Sequence, residues 1–301
     1  MTCPCIASAR AEAGEGAAVR GRRSSLRVCV GAAAMLAAMA ADHARAADWP
    51  GDSPLRGSFF SSATTRWDGF HFGVQYGASN MNTDFGNSTS ALVAYSLRNT
   101  VLENEFSPSS WTALPNNTIT GQQYGAFLGY NWQWDQLVGG FDLGYNRTAG
   151  SFTASASDTI ARQVTTSDLV NQAVTITAQS SLKLVDYATM RARAGYAFGQ
   201  FLPYAFVGGA VGRFNYANTE TTNVVGTPQA GSTVTAFNTT DTQTQSKDNA
   251  IVGGAVVGLG LDVALLPNVF LRGEWEFVAF APVGGIRANF NTARVGIGMR
   301  F

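Results

Sequence analysis

The sequence predicts an all-β protein, an eight-stranded antiparallel up-and-down transmembrane β-barrel with long extracellular loops. Three observations lead there. Only 13% of the 301 residues are charged, about half the usual share for a soluble chain, yet no apolar run reaches the roughly 18–20 residues of a membrane helix. Segment after segment alternates apolar with small or polar residues at a period of two, the side-chain period of a strand. The connections between these segments alternate long and short, so that all the short turns fall at one end, as they do in outer-membrane barrels. The strongest rival for a membrane helix, 251–266, is too short, carries Asp262 and has glycine at 253, 254, 258 and 260.

Residues 1–46 read as a signal peptide. Arg20, Arg22, Arg23 and Arg27 precede the small apolar run 28–41, and Ala44-Arg45-Ala46 sets the expected cleavage between Ala46 and Ala47. The Arg22-Arg23 pair keeps twin-arginine export open beside the general route. Cys3, Cys5 and Cys29 all lie in this leader, which leaves the mature chain no thiol for a disulfide, a metal or a nucleophile. Six arginines and three acids (Glu12, Glu15 and Asp42) leave with it, so 14 basic residues face 17 acidic ones. That mildly acidic balance argues against a nucleic-acid partner. Residues 47–66, with Pro50 and Pro54 and little periodicity, are expected to be a periplasmic lead-in to a barrel over 67–301.

The first strand starts at Trp67 and sets Phe70, Phe72, Val74, Tyr76 and Ala78 against Gly69, His71, Gly73, Gln75 and Gly77. A polar loop, 80–120, follows. Strand 121–132 turns Tyr124, Ala126, Leu128, Tyr130 and Trp132 outward, and a tight turn at 133–136 joins it to strand 137–147, with Leu137, Phe141, Leu143 and Tyr145 outward and Asp142 inward. A second polar loop, 148–180, leads to strand 182–198. There Leu184, Ala188, Met190, Ala192, Ala194 and Tyr196 are expected outward, and Lys183, Tyr187, Thr189, Arg191 and Arg193 inward. After Gly199-Gln200, strand 201–216 is expected to face Leu202, Tyr204, Phe206, Ala210, Phe214 and Tyr216 outward and Arg213 inward. A third polar loop, 217–249, precedes strand 250–265, where Asp262 is inward. A turn at 266–268 opens strand 269–280, with Val269, Leu271, Trp275 and Phe277 outward and Arg272, Glu274 and Glu276 inward. Past a shorter loop, 281–289, the closing strand 290–301 sets Ala293, Val295, Ile297, Met299 and Phe301 against Thr292, Arg294, Gly296, Gly298 and Arg300. A greasy outside and a polar inside reverse the arrangement of a soluble barrel.

The inward charges are Asp142, Arg191, Arg193, Arg213, Asp262, Arg272, Glu274, Glu276, Arg294 and Arg300. In a narrow lumen they would be costly unless paired. Neighbouring strands offer Arg191 or Arg193 to Asp142, and Arg294 to Glu274 or Glu276. A closed, salt-bridged lumen is therefore expected, since eight strands leave room for side chains and not for an aqueous channel. A small porin-like channel is the alternative. No catalytic residue, cofactor or metal site is expected. His71, the only histidine left once the leader is gone, has no serine two residues on and no second histidine, which makes it an interior side chain before a catalytic or haem-binding one. Gly253 and Gly258 have phosphate-loop spacing, but Leu259-Gly260 stands where Lys-Ser/Thr would be needed.

Several segments also carry a resemblance. Trp67-Asp68-Gly69-Phe70-His71-Phe72-Gly73, Gly129-Tyr130-Asn131-Trp132-Gln133, Arg191-Ala192-Arg193-Ala194-Gly195-Tyr196-Ala197-Phe198, Phe201-Leu202-Pro203-Tyr204 and Arg294-Val295-Gly296-Ile297-Gly298-Met299-Arg300-Phe301 resemble the small outer-membrane β-barrel family of alphaproteobacteria, often labelled porin-like or outer-membrane immunogenic proteins. The resemblance implies an eight-stranded barrel in the Gram-negative outer membrane, exported by a signal peptide. It implies no single shared activity, and some members bind haem. The reading is thus a non-enzymatic surface protein, an envelope structure or surface antigen, with a porin-like channel or a haem- or ligand-binding receptor as alternatives. Its expected partners are outer-membrane lipid and lipopolysaccharide, the outer-membrane assembly machinery, and an extracellular ligand for the loops. By the same resemblance the terminal Phe301 is the assembly signal. Deleting Phe301 is expected to reduce insertion into the outer membrane in cells while leaving the unfolding temperature of the refolded barrel within a few degrees, which heat-modifiable gel mobility and thermal melting would separate.

Overall fold

A computed structural model describes residues 65–301 apart from Ala113 and Ser151. The expected leader, its cleavage at Ala46 and Ala47, and nearly all of the lead-in lie outside the described residues. Along the chain come β1 (Gly69–Asp84), α1 (Ser90–Ser96), α2 (Val101–Phe106), a 3-10 turn (Pro108–Ser110), β2 (Asn117–Trp134), β3 (Leu137–Ala149), β4 (Thr153–Thr165), β5 (Val170–Tyr196), β6 (Phe201–Pro228), β7 (Phe237–Leu266), β8 (Val269–Phe280) and β9 (Arg287–Arg300). Antiparallel neighbours run β3-β2-β1-β9-β8-β7-β6-β5, and pairing of β3 with β5, from Leu137 opposite Tyr196 to Arg147 opposite Asp186, closes them into a ring of eight. Closure matters because an unpaired strand edge in lipid would leave backbone groups without partners. The last strand is held on both sides: β9 pairs with β8 and β1, and the Phe301 N–H donates to the Phe70 carbonyl at 2.9 Å. The Phe301 ring stacks on Phe72 outside the barrel at 5.8 Å.

The outer surface carries an apolar belt. Phe72, Val74, Leu128, Phe141, Met190 and Ile297 are among its exposed side chains. Such a band of exposed apolar residues around a protein is the signature of contact with lipid.

Three expectations are corrected here. The first concerns the polar loops. Segments 148–180 and 217–249 are largely strand, because β5, β6 and β7 run for 27, 28 and 30 residues where about 10 suffice to cross a bilayer. Their outer halves, joined by β4, form a four-stranded sheet beyond the barrel. Threonine-rich sequence supports extended backbone through β-branching. Without lipid to face, these strands lack the aromatic alternation that marks their lower halves. On the face continuous with the lipid-facing side, Thr159, Thr177, Thr221 and Thr242 stand opposite one another across all four strands, with hydroxyl contacts of 3.1 Å between Thr159 and Thr177 and 3.0 Å between Thr221 and Thr242.

The second correction concerns β6, whose faces are exchanged. Leu202, Tyr204, Phe206, Ala210 and Phe214 are buried, whereas Phe201, Val207 and Val211 are exposed, and Tyr216 is half-buried. The strand is apolar on both faces, so its own alternation could not orient it. Glycines on the next strand decide the matter: Tyr204 lies opposite Gly260 and Phe206 opposite Gly258, where a Cβ would stand 2.3 and 2.4 Å from the rings. The lumen has holes for these rings, and Arg213 consequently lies on the outside.

The third is a change of phase within β5. A bulge at Val185 separates Leu184 from Asp186 in the pairing with β6. An extra residue in one strand exchanges the faces beyond it. Leu184 is therefore inward, at 1% exposure, and Lys183 is outward. A matching irregularity in β7, around Asn249 with φ 56°, keeps the two strands in step.

The segment between β1 and β2 covers the inner face of the extracellular sheet. Val93, Leu97 and Leu102 pack on Val174, Ile176 and Val224. Thr100 caps α2 by accepting the Glu103 N–H at 3.2 Å, and the Ser96 hydroxyl of α1 donates to the buried Glu220 of β6 at 3.0 Å. Burial raises the Glu220 carboxyl above its ordinary range, against the opposing hydrogen bonds from Thr222 and Ser96. A carboxyl raised in the folded state makes folding less favourable above that raised value, and the penalty fades as pH falls toward the unfolded value. Amide protection of α1, corrected for intrinsic exchange, is therefore expected to rise as pH falls from neutral toward the ordinary carboxyl value of 4.5, and Glu220→Gln is expected to flatten that dependence.

Candidate functional site

The described interior is filled from end to end. At the periplasmic end Trp67 meets Phe270 edge to face with centroids 6.2 Å apart, and Phe270 packs at a tilt against Phe127 at 6.1 Å. Toward the outer end Tyr187, Phe280 and Phe290 pack at 5.5 and 5.2 Å, with Phe214 against Phe280 at 5.1 Å. Between these aromatic layers lie the charges.

Alternation along β3, β5, β7, β8 and β9 points Asp142, Arg191, Arg193, Asp262, Arg272, Glu274, Glu276 and Arg294 into one connected network. In its periplasmic half, Arg272 grips Asp262 through Nε and Nη2, each at 2.9 Å, and reaches Asp142 through Nη1 at 3.1 Å. Arg193 bridges the same two acids, at 2.8 Å to Asp262 and 3.3 Å to Asp142. In the other half, Arg191 Nη1 lies 3.0 Å from Glu274 and 3.3 Å from Glu276. Arg294 contacts Glu274 through Nε at 3.0 Å and is also paired with Glu276. Arg191 Nη2 stands 3.5 Å from Asp142, which links the halves.

The remaining lone pairs and ring faces are used as well. Tyr204 donates to Glu274 at 2.7 Å and Tyr187 to Glu276 at 3.1 Å. The guanidinium of Arg193 stacks over Tyr204 at 3.8 Å, that of Arg272 over Phe127 at 4.1 Å and that of Arg191 over Phe206 at 4.5 Å. Four guanidiniums and four carboxylates thus cancel in an enclosure of aromatic walls, where an unmatched charge would be strongly destabilising.

Two of the ten inward charges expected from the sequence stand elsewhere. Arg300 is inward but separate: its Nε donates to the Pro267 carbonyl at 2.8 Å and its guanidinium lies 4.6 Å over the Trp67 ring. Arg213 is outside the barrel, its side chain 43% exposed, and pairs with Asp186. The exchanged faces of β6 cause this placement.

The sequence reading missed three participants. His71 is buried with Nε2 2.7 Å from Asp142 Oδ1, and Gly129 makes room for the contact, since a Cβ there would stand 2.3 Å from that oxygen. Its inward position was legible from Phe70 and Phe72 on either side; its acid partner, two strands away, was not. Tyr187 was placed inward, but nothing in its own strand indicated Glu276. Tyr204 carried no usable signal, because β6 is apolar on both faces. Among the described residues no group of three His, Cys, Asp or Glu is arranged to hold a metal.

Among curated proteins none matches this chain. Solved structures similar to it include the outer membrane protein OprG from Pseudomonas aeruginosa, at 10% identity and a TM-score of 0.33 over 78% of this chain and 97% of that one. Neisserial surface protein A is similar at 12% identity and a TM-score of 0.30 over 76% and 97%, and the attachment invasion locus protein Ail of Yersinia pestis at 11% and 0.28 over 78% and 99%. A model of the outer membrane protein beta-barrel domain matches residues 30–301. That match, together with a closed ring of eight strands, an apolar exterior and a charged interior, makes this chain a member of the outer membrane protein beta-barrel domain family and a protein of the Gram-negative outer membrane.

Proposed function

We propose that this is a non-enzymatic surface protein, a sealed barrel that anchors an extracellular sheet for envelope structure and surface contact. The observation that carries the reading is the neutral network of four arginines and four acids between two aromatic layers. A conducting pore needs a hydrated path, and here the lumen charges are buried and paired with one another. The extracellular sheet supports the surface role: it is built at a length that membrane crossing does not require, and it presents a threonine-rich face. The buried His71 shares its carboxylate with Arg193 and Arg272, an arrangement that supports a structural role over a catalytic or haem-binding one.

Purified protein in planar bilayers is expected to give no stable single-channel openings; steady openings of nanosiemens size would establish the porin-like alternative. Asp142→Asn is expected to destabilise the barrel by about 3–5 kcal/mol, because Arg191, Arg193 and Arg272 would keep their charge and lose a counter-charge. Urea titration of the heat-modifiable folded form measures that loss.

A further inference from the structure

The charge left out of the lumen forms a site of its own. On the outer face, just beyond the apolar belt on the extracellular side, direct cross-strand neighbours run Tyr124, Arg147, Asp186 and Arg213, with Lys183 further out on β5. Two residues nearer the periplasm on the same strands are Tyr145, Ala188 and Val211, all exposed on the lipid side. Among the described residues, the outward-facing barrel positions from the periplasmic turns up to this level carry no other charge.

Asp186 is only 6% exposed, and its donors are already fixed: Arg213 through Nε at 3.1 Å and through Nη2, and the Tyr145 hydroxyl at 3.0 Å. It therefore cancels Arg213 and holds that guanidinium against the wall. Arg147 and Lys183 form no ion pair among the described residues, so three cations stand around one acid. The bulge at Val185 produces this arrangement. Below it the odd-numbered residues Tyr187, Thr189 and Arg191 are buried, and without the extra residue Lys183 would follow them into the lumen.

We propose that Arg147 and Lys183, beside the neutralised Arg213–Asp186 pair, bind the phosphate of a phosphorylated lipid headgroup in the surrounding outer leaflet. The cluster has a surplus of positive charge, it continues directly from the lipid-facing surface, and a tyrosine of the interfacial girdle flanks it. A headgroup phosphate at that depth would meet Arg147 as a bidentate donor and Lys183 as a point charge. The apolar belt below would meet the acyl chains of the same molecule.

The test uses the full mature barrel in phosphatidylcholine nanodiscs doped with bisphosphorylated lipid A or with its dephosphorylated form, with bound lipid counted by native mass spectrometry. Wild type is expected to retain the phosphorylated form preferentially. Arg147→Gln with Lys183→Gln is expected to lower that retention about thirtyfold, the effect of removing two cations at an anionic interface, while heat-modifiable mobility stays unchanged. Arg147→Lys with Lys183→Arg is expected to restore most of it, which separates charge from a fold defect. Equal retention of both lipid forms by wild type, or unchanged retention by the glutamine variant, would overturn the proposal. Complete displacement by millimolar inorganic phosphate would also overturn it, by identifying a general anion site.

Discussion

Four guanidiniums and four carboxylates lie in a lumen where each is about fully buried, and the requirement that they cancel governs the rest of the barrel. The acids come from β3, β7 and β8, the arginines from β5, β8 and β9, so the network links strands on opposite sides of the ring. Asp142 is one of its hubs: His71, Arg191, Arg193 and Arg272 all converge on it. Buried ion pairs add little net stability over well-packed apolar residues, but breaking one is expensive. The network therefore acts chiefly against wrong pairings. A strand slipped by one residue would put its charges into lipid and its lipid-facing residues among the remaining charges.

Closure of the ring and filling of the lumen are coupled through glycine and aromatic residues. An eight-stranded ring has a narrow interior, so each large inward side chain needs a small neighbour. Gly129 makes room for His71 and Asp142, and the glycines at 258 and 260 receive the rings of Phe206 and Tyr204. Those rings in turn cover the guanidiniums of Arg191 and Arg193. The abundance of glycine in the strands thus has a packing cause.

Beyond the membrane the same strands serve a different purpose. The paired bulges in β5 and β7 exchange inside for outside at the level where lipid ends. Below them the outer face is apolar; above them it is hydroxyl-rich, and its inner side is covered by α1 and α2. The rim between the two regions is where Asp186 and Arg213 meet, and where the outward cations are concentrated.

Much of this was legible in the sequence. Period-two alternation identified eight barrel strands, and it faced β1, β2, β3, β8 and β9 correctly because each sets aromatic or aliphatic residues against glycine and charge. The inward positions of Asp142, Glu274, Glu276 and Arg294 followed from the same pattern. Three things were decided only in the tertiary structure. The facing of β6 depended on holes in the neighbouring strand, since its own residues are apolar on both sides. The side taken by Lys183 and Leu184 depended on a bulge, which adds a residue without changing composition. The outer sheet depended on pairing between segments far apart in the chain, because polar strands in water show no lipid-imposed alternation. Sequence alone thus determined which residues meet lipid wherever the two faces differ in chemistry; where they do not, cross-strand packing decided, because only a neighbouring strand can say which side has room.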